Sequence, residues 1–268
     1  MVKLCATGND FLLINQMGNV SSPDLPSPEI IQQMCHRHEG FGADGVVVIL
    51  PHAQADFQWR FFNSDGGEAE MCGNAARAVS QYVAHTQQKA ELKFETKIGT
   101  IEALVENPES LSGNVTISLP TWKDFESRLS VEGKAFSYAN TGVPHAVLTV
   151  SELTDLEELR EWALKVKALP RFLKNGVNVT FKAQTPLADR IQSITFERGV
   201  EDFTLSCGTG AMAAAVCHAE GRKAFDLTVQ VPGGMLWVSA KGNQLHLKGE
   251  GRIVGSCHFG QLDSDKEI

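Results

Sequence analysis

The sequence predicts an α+β protein of two similar halves, each a curved, mostly antiparallel sheet wrapped around a central helix. Three observations lead there. Cys72-Gly73-Asn74-Ala75-Ala76-Arg77-Ala78 and Cys207-Gly208-Thr209-Gly210-Ala211-Met212-Ala213 share Cys, Gly, Ala and Ala at the first, second, fifth and seventh positions. They lie 135 residues apart in a chain of 268. Each runs into an alanine-rich stretch that reads as a helix, residues 75–85 and 210–220, with alanine and valine on several faces and so buried on all sides. The remainder is mostly short apolar runs separated by Gly, Pro, Asn and Asp, the pattern of strands and turns. The halves are residues 1–120, closed by Pro120 and carrying Cys72, and residues 121–268, carrying Cys207, facing one another across a cleft.

In order along the chain, residues 2–6 and 11–15 read as strands around the turn Thr7-Gly8-Asn9-Asp10. Residues 21–26 form a Pro/Ser loop. Ser27-Pro28-Glu29 then opens a helix to about His38, with Ser as N-cap and Gly40 as its stop. Gly40-Phe41-Gly42-Ala43-Asp44-Gly45 matches G-x-G-x-x-G, but it follows a helix and opens the strand 46–50. That order is the reverse of a dinucleotide fingerprint, and the match is rejected. Strand 57–63 and the turn Ser64-Asp65-Gly66-Gly67 lead into the first Cys-Gly helix, and strands 93–96, 100–105 and 114–119 follow. Residues 121–129 are the crossing segment.

The second half opens with strand 135–138, the turn Asn140-Thr141-Gly142-Val143-Pro144, and His145 at the head of strand 146–150. Thr154-Asp155-Leu156-Glu157 is a capping box for a helix ending near Lys167. Strands 178–182 and 191–197 lead to the second Cys-Gly helix. A hairpin across Pro232-Gly233-Gly234, strands 245–247 and 253–258, and a polar tail 263–268 finish the chain.

Composition excludes several classes. A net charge of −8 with no Lys/Arg run argues against a nucleic-acid surface. No apolar run approaches the length of a membrane span, and the first residues read as a strand and not as a leader. The 6 cysteines include no C-x-x-C pair, so they read as free thiols of a cytoplasmic protein and not as disulfides or metal ligands.

The chemistry resides in the repeated segment. A cysteine at a helix N-terminus sits among unpaired N–H groups and at the positive end of the dipole, which favours its thiolate. The glycine after it admits close approach to the backbone, and the next amides suit a carboxylate. A lone buried cysteine is more commonly a packing residue. Two of them, one per half, instead suggest a matched acid and base around a small amino-acid substrate, able to lift a proton from one face of a chiral carbon and return it to the other.

Several motifs in one order carry a resemblance. They are Gly8-Asn9-Asp10-Phe11, Gly42-Ala43-Asp44-Gly45, Phe62-Asn63-Ser64-Asp65-Gly66, Met71-Cys72-Gly73-Asn74, Thr141-Gly142-Val143-Pro144-His145, Gly176-Val177-Asn178-Val179, Glu197-Arg198-Gly199 and Cys207-Gly208-Thr209-Gly210. Together they span nearly the whole chain, which resembles the diaminopimelate epimerase family of cofactor-independent enzymes in lysine and peptidoglycan precursor synthesis. The resemblance implies interconversion of LL- and meso-diaminopimelate without pyridoxal phosphate or metal, in the cleft between the halves. It makes Cys72 and Cys207 the acid/base pair, with His145 and Glu197 beside them. It sets the backbone of Gly73, Asn74, Gly208 and Thr209 on the α-carboxylate, and Asn9, Asn63, Asn178 and Arg198 on the distal end of the substrate.

Val143, Phe203 and Ala75 depart from residues common in the family. Val143 and Phe203 motivate a competing reading, a racemase of another amino acid on the same scaffold. A non-catalytic amino-acid-binding protein is the third reading, disfavoured by the intact cysteine pair. The sequence leaves a homodimer open.

Overall fold

A computed structural model describes residues 1–18, 25–119 and 121–258. The tail 263–268, Pro120 and most of the loop 21–26 lie outside the described residues. The first half comprises β1 (Val2–Ala6), β2 (Asn9–Asn15), α1 (Pro28–Cys35), β3 (Gly45–Leu50), β4 (Phe57–Asn63), β5 (Glu68–Ala69), α2 (Gly73–Gln87), β6 (Glu91–Thr96), β7 (Gly99–Val105) and β8 (Ser112–Leu119). The second comprises β9 (Lys123–Val131), β10 (Lys134–Asn140), β11 (Pro144–Val150), α3 (Leu156–Lys167), a 3-10 turn (Pro170–Phe172), β12 (Asn178–Gln184), β13 (Arg190–Phe196), β14 (Phe203–Thr204), α4 (Gly208–His218), β15 (Ala224–Val231), β16 (Gly234–Lys241) and β17 (Gln244–Ser256).

The same pairings occur twice. β1–β2 and β10–β11 are antiparallel. β2–β3 and β11–β12 are parallel, joined by α1 and α3. β3–β4 and β12–β13 are antiparallel. β4–β6 and β13–β15 are parallel, joined by α2 and α4. The fold is α+β, and the two halves are repeats of one plan.

They are joined by an exchange. β8 and β17 run antiparallel side by side, from Leu119 opposite Leu245 to Ser112 opposite Arg252. Each line of chain then continues into the other half. The end of β17 pairs with β1, and β9, which follows β8, pairs with β10. β17 thereby closes the first half into a ring, β17-β1-β2-β3-β4-β6-β7-β8.

Inside lie α2 and α4. Residues 211–217 of α4 are buried on every face, because small side chains let the surrounding strands close on the helix. α2 is buried almost as fully yet carries Arg77, Ser80 and Gln81 inward. One hydrophobic core contains both helices, and two smaller ones lie beneath α1 and α3. Among the described residues no helix is long and apolar enough to cross a membrane.

Four local expectations are corrected. Residues 123–131 form a strand, β9, where a crossing segment was expected, and the two strands expected at 245–247 and 253–258 are one 13-residue strand, β17, that ends at Ser256. α1 stops at Cys35 because His36 is extended, and the Gly40 and Gly42 amides both return to the His36 carbonyl. The N-cap of α3 is Asp155, not Thr154: its carboxylate accepts the Glu158 amide at 3.0 Å.

Candidate active site

Cys72 and Cys207 are the N-caps of α2 and α4, each in extended conformation just before the first turn. The two-residue strands β5 and β14 pin the chain upstream, through Phe61 opposite Ala69 and Thr195 opposite Thr204. The following glycines bring the two helix ends together. A Cβ on Gly208 would lie 2.9 Å from Leu247 Cδ2 and 3.8 Å from the Gly73 Cα, and one on Gly73 would lie 3.3 Å from the same leucine carbon. Asn74 then crosses between halves, its Nδ2 donating to the Ser206 carbonyl at 2.9 Å. The repeated segments are therefore neighbours in space, with Leu247 beneath them.

A chain of hydroxyls surrounds Cys207. Thr209 Oγ1 lies 3.4 Å from Cys207 Sγ and 3.0 Å from His145 Nε2, and the Gly210 amide donates to the sulfur at 3.4 Å. His145 Nδ1 is 3.0 Å from Thr180 Oγ1, which in turn meets Thr195 Oγ1 at 3.0 Å. His145 is fully buried, and burial, with Arg198 second, pushes its pKa down to about 3. It is therefore a neutral imidazole across the working range, one nitrogen donating and the other accepting. Glu197 follows β13, and its Oε1 accepts from the Thr204 hydroxyl at 2.5 Å. Burial raises its pKa, against the lowering effect of Thr204 and Cys207.

Helix position alone led to the expectation of thiolates, and here the structure differs. Both cysteines are only partly exposed, with their sulfurs enclosed by protein. Dehydration pushes Cys72 up to about 11, opposed by the Ala75 and Asn74 amides. Cys207 is raised well above the ordinary thiol value by burial and by the nearby Glu197 carboxylate. Desolvation outweighs the dipole and favours the thiol form of both groups. The Glu197 carboxyl hydrogen-bonds Cys207, and its charge disfavours the thiolate at both sulfurs.

On the other side, Asn9 Oδ1 accepts from Asn74 Nδ2 at 2.5 Å, and its Nδ2 donates to Asp44 Oδ2 at 2.8 Å. Asp44 is held by Arg37 at 2.8 Å, and Asp10 by Arg37 and Lys3. Asn178 Oδ1 accepts the Arg198 amide at 2.8 Å, and its Nδ2 lies 3.5 Å from His145 Nε2. The Arg198 side chain is exposed and caps the Asn175 carbonyl. Gly176 makes room for it, since a Cβ there would lie 2.6 Å from Arg198 Cδ. Asn63, at the end of β4, is exposed.

The structure thus joins Cys207, Thr209, His145, Asn178 and Glu197 in one contiguous group. Asn9 and Asn74 form a second group that touches Ser206. Phe203 lies away from both: its ring packs on Phe196 and Phe181 with ring centroids 5.4 and 6.2 Å apart. Sequence reasoning missed Thr180, Thr195 and Ser206, which look like ordinary strand and loop residues, and Arg77. The last had a signal: a cation inside a helix expected to be buried on all sides, aligned with Met212 in the other half. Among the described residues no group of three or more His, Cys, Asp or Glu is placed to hold a metal ion.

Comparison with known proteins fits this geometry. Among solved structures, a hydroxyproline epimerase from Agrobacterium vitis superposes with TM-score 0.70 at 17% identity, over 95% of this chain and 90% of that one. A phenazine biosynthesis protein from Bacillus anthracis superposes with TM-score 0.68 at 15% identity, over 94% and 96%. At such identities the likeness is one of fold. Sequence relatives are nearer. A diaminopimelate epimerase of Nitratiruptor sp. is 36% identical over 93% of this chain and 90% of its own length. Those of Helicobacter pylori and Archaeoglobus fulgidus are 35% and 34% identical, over 96% and 92% of this chain and 95% and 91% of their own. The family profile for diaminopimelate epimerase matches residues 1–118 and 137–254, one block in each half. With both repeats matched and relatives above 30% identity along nearly its full length, this chain belongs to the diaminopimelate epimerase family.

Proposed function

We propose that this protein epimerises LL- and meso-diaminopimelate by two-base proton transfer between Cys72 and Cys207, with no cofactor. The observation that supports the mechanism best is the abutment of two cysteine-capped helix N-termini at Gly73 and Gly208. A carboxylate placed there meets the amides of both helices, and its α-carbon sits between two sulfurs.

The chemistry then balances simply. One sulfur, as thiolate, takes the α-proton, and the Cα–H electron pair stays on carbon and spreads into the adjoining carboxylate. The first-turn amides at Gly73, Asn74, Gly208 and Thr209 stabilise the charge that develops there. The opposite thiol gives its proton to the other face. Carbon leaves inverted, and the sulfurs have exchanged roles, so the reverse reaction uses the same groups. Glu197 and the neutral His145 bind the α-ammonium, which as a cation also favours the thiolate that burial disfavours. Asn9, Asn63, Asn178 and Arg198 hold the far end, with Arg198 free to swing its fork onto a second carboxylate. That product class fits a role in lysine and peptidoglycan precursor synthesis, and we read the protein as acting in the cytoplasm.

The test is α-proton exchange in D2O followed by NMR, in fresh reductant without added cofactor. Diaminopimelate should exchange and yield the other isomer, while lysine, proline and glutamate should not. Cys72→Ala and Cys207→Ala should each lower epimerisation by about 10²-fold or more. Full turnover by either variant would sink the mechanism, and equal exchange of a monocarboxylic amino acid would sink the substrate.

A further inference from the structure

Among the described residues Arg77 is the one charged side chain fully buried in the core, and no carboxylate there pairs with it. Four of its five N–H donors are met by neutral oxygens. Nη2 donates to Thr7 Oγ1 and to Asn74 Oδ1, both at 2.8 Å, Nη1 to the Gly73 carbonyl at 3.3 Å, and Nε to the Glu250 carbonyl at 3.4 Å. The surroundings are shaped for it. Gly249 leaves room where a Cβ would lie 3.1 Å from Nε, and Thr7 keeps a positive φ of 50 that a β-branched residue ordinarily avoids. A buried guanidinium kept without an anion is unfavourable unless an anion appears nearby at some stage.

The other half has no such group. Met212 occupies the matching position of α4, also fully buried, five residues after its cysteine as Arg77 is after Cys72. The charged neighbour of Cys207 is instead the Glu197 carboxylate. The charged groups facing Cys72 are Arg77 from its own helix and Glu197 from across the cleft, while the Glu250 side chain is exposed.

We infer that Arg77 is a positioning residue that makes the two bases unequal: its fixed charge favours the thiolate at Cys72, and its grip on Asn74 holds the first-turn amides and the Ser206 crossing in register. Of the two buried thiols, Cys72 is therefore the one that gives up its proton first. This rests on the reading of Cys72 as an acid/base thiol, and it deepens that reading by assigning which sulfur loses its proton first.

The test is the pH dependence of iodoacetamide alkylation, with Cys72 and Cys207 followed separately by peptide mass spectrometry on the intact folded protein. In the wild type, Cys72 should react at lower pH than Cys207. Arg77→Met, which copies the other half, and Arg77→Gln should each slow Cys72 alkylation about tenfold at a given pH below its midpoint, while Cys207 stays within about twofold. Arg77→Lys should restore the Cys72 profile but not kcat, because an ammonium keeps the charge and loses the fork that holds Asn74. A purely structural arginine would change both cysteines together, and that result in a folded neutral variant overturns the inference. Should neither neutral variant fold, the wild-type profiles decide: coincident profiles, or Cys207 reacting first, overturn it. Alkylation reads the thiolate whether or not Cys72 turns over. An active Cys72→Ala enzyme would remove the catalytic reading while leaving the electrostatic coupling measurable.

Discussion

His145 sits in a strand where its ring can reach only hydroxyls and one amide, so its proton equilibrium belongs to stability as much as to catalysis. Its folded pKa of about 3 lies below the ordinary value of 6.5. Between those values the unfolded chain binds a proton that the folded chain refuses, so this residue's contribution is complete at neutral pH and is lost as pH falls. Stability should decline by about 1.4 kcal/mol per pH unit in that window from this group alone. His145→Gln should flatten that acid limb in urea titrations at stepped pH, and an unchanged limb would show that His145 is charged when folded. A neutral His145 and thiols pushed up by burial together predict that kcat/KM rises with pH from about 7 to 8.5, as one sulfur of the pair loses its proton, without an inflection near 6.5. At this scale the sequence was most informative where one residue type recurs in a matched setting, as Cys72 and Cys207 do. It was least informative for Thr180 and Thr195, because nothing in a strand of alternating residues says which threonine will face a histidine. The thiolate that a helix end favours is opposed by burial for a similar reason: helix position is local and readable, whereas dehydration depends on what packs around the sulfur.

The elements that form the site are the first turns of α2 and α4 and the strand ends that meet them. Their separation is set by Gly208, where a methyl would strike Leu247 Cδ2 and crowd Gly73. Gly208→Ala should lower kcat about 10²-fold by spreading the helix ends, with a stability loss of about 1–3 kcal/mol from overpacking. Kinetics and urea melts together check this, and a near-normal kcat would mean the two ends need not touch. Central helices and most strands were legible from alanine content and from apolar runs between turns. β9 was not, because residues 123–130 are largely polar and exposed and its pairing with β10 is invisible locally. β17 read as two pieces because Gly249 and Gly251 look like breaks. In the fold they are points of close approach, where a Cβ would meet Arg77 Nε at 3.1 Å and the Arg77 carbonyl oxygen at 2.6 Å. Phe203 packs its ring against the core beneath α3. Val143, half-buried in the turn before His145, remains the residue to vary when substrate range is tested.

For the whole molecule, the repeat near residue 120 marks two copies of a plan, and we expect that it does not mark two independent folding units. Residues 1–119 lack β17, and so lack the strand that lies between β8 and β1. That fragment should show no cooperative thermal transition alone and should gain one when mixed with residues 121–258. A well-dispersed NMR spectrum from the first fragment by itself would refute this. The exchange of strands also bears on how the protein is made. β17 begins 125 residues after β8 ends. At ordinary translation speeds that distance takes on the order of ten seconds. Through that interval the newly made first half stands with the edges of β1 and β8 unpaired, open to any neighbouring strand. Nascent copies on one messenger would then be each other's nearest hazard, and slowing synthesis should harm the yield of this protein more than that of one whose first domain closes on itself.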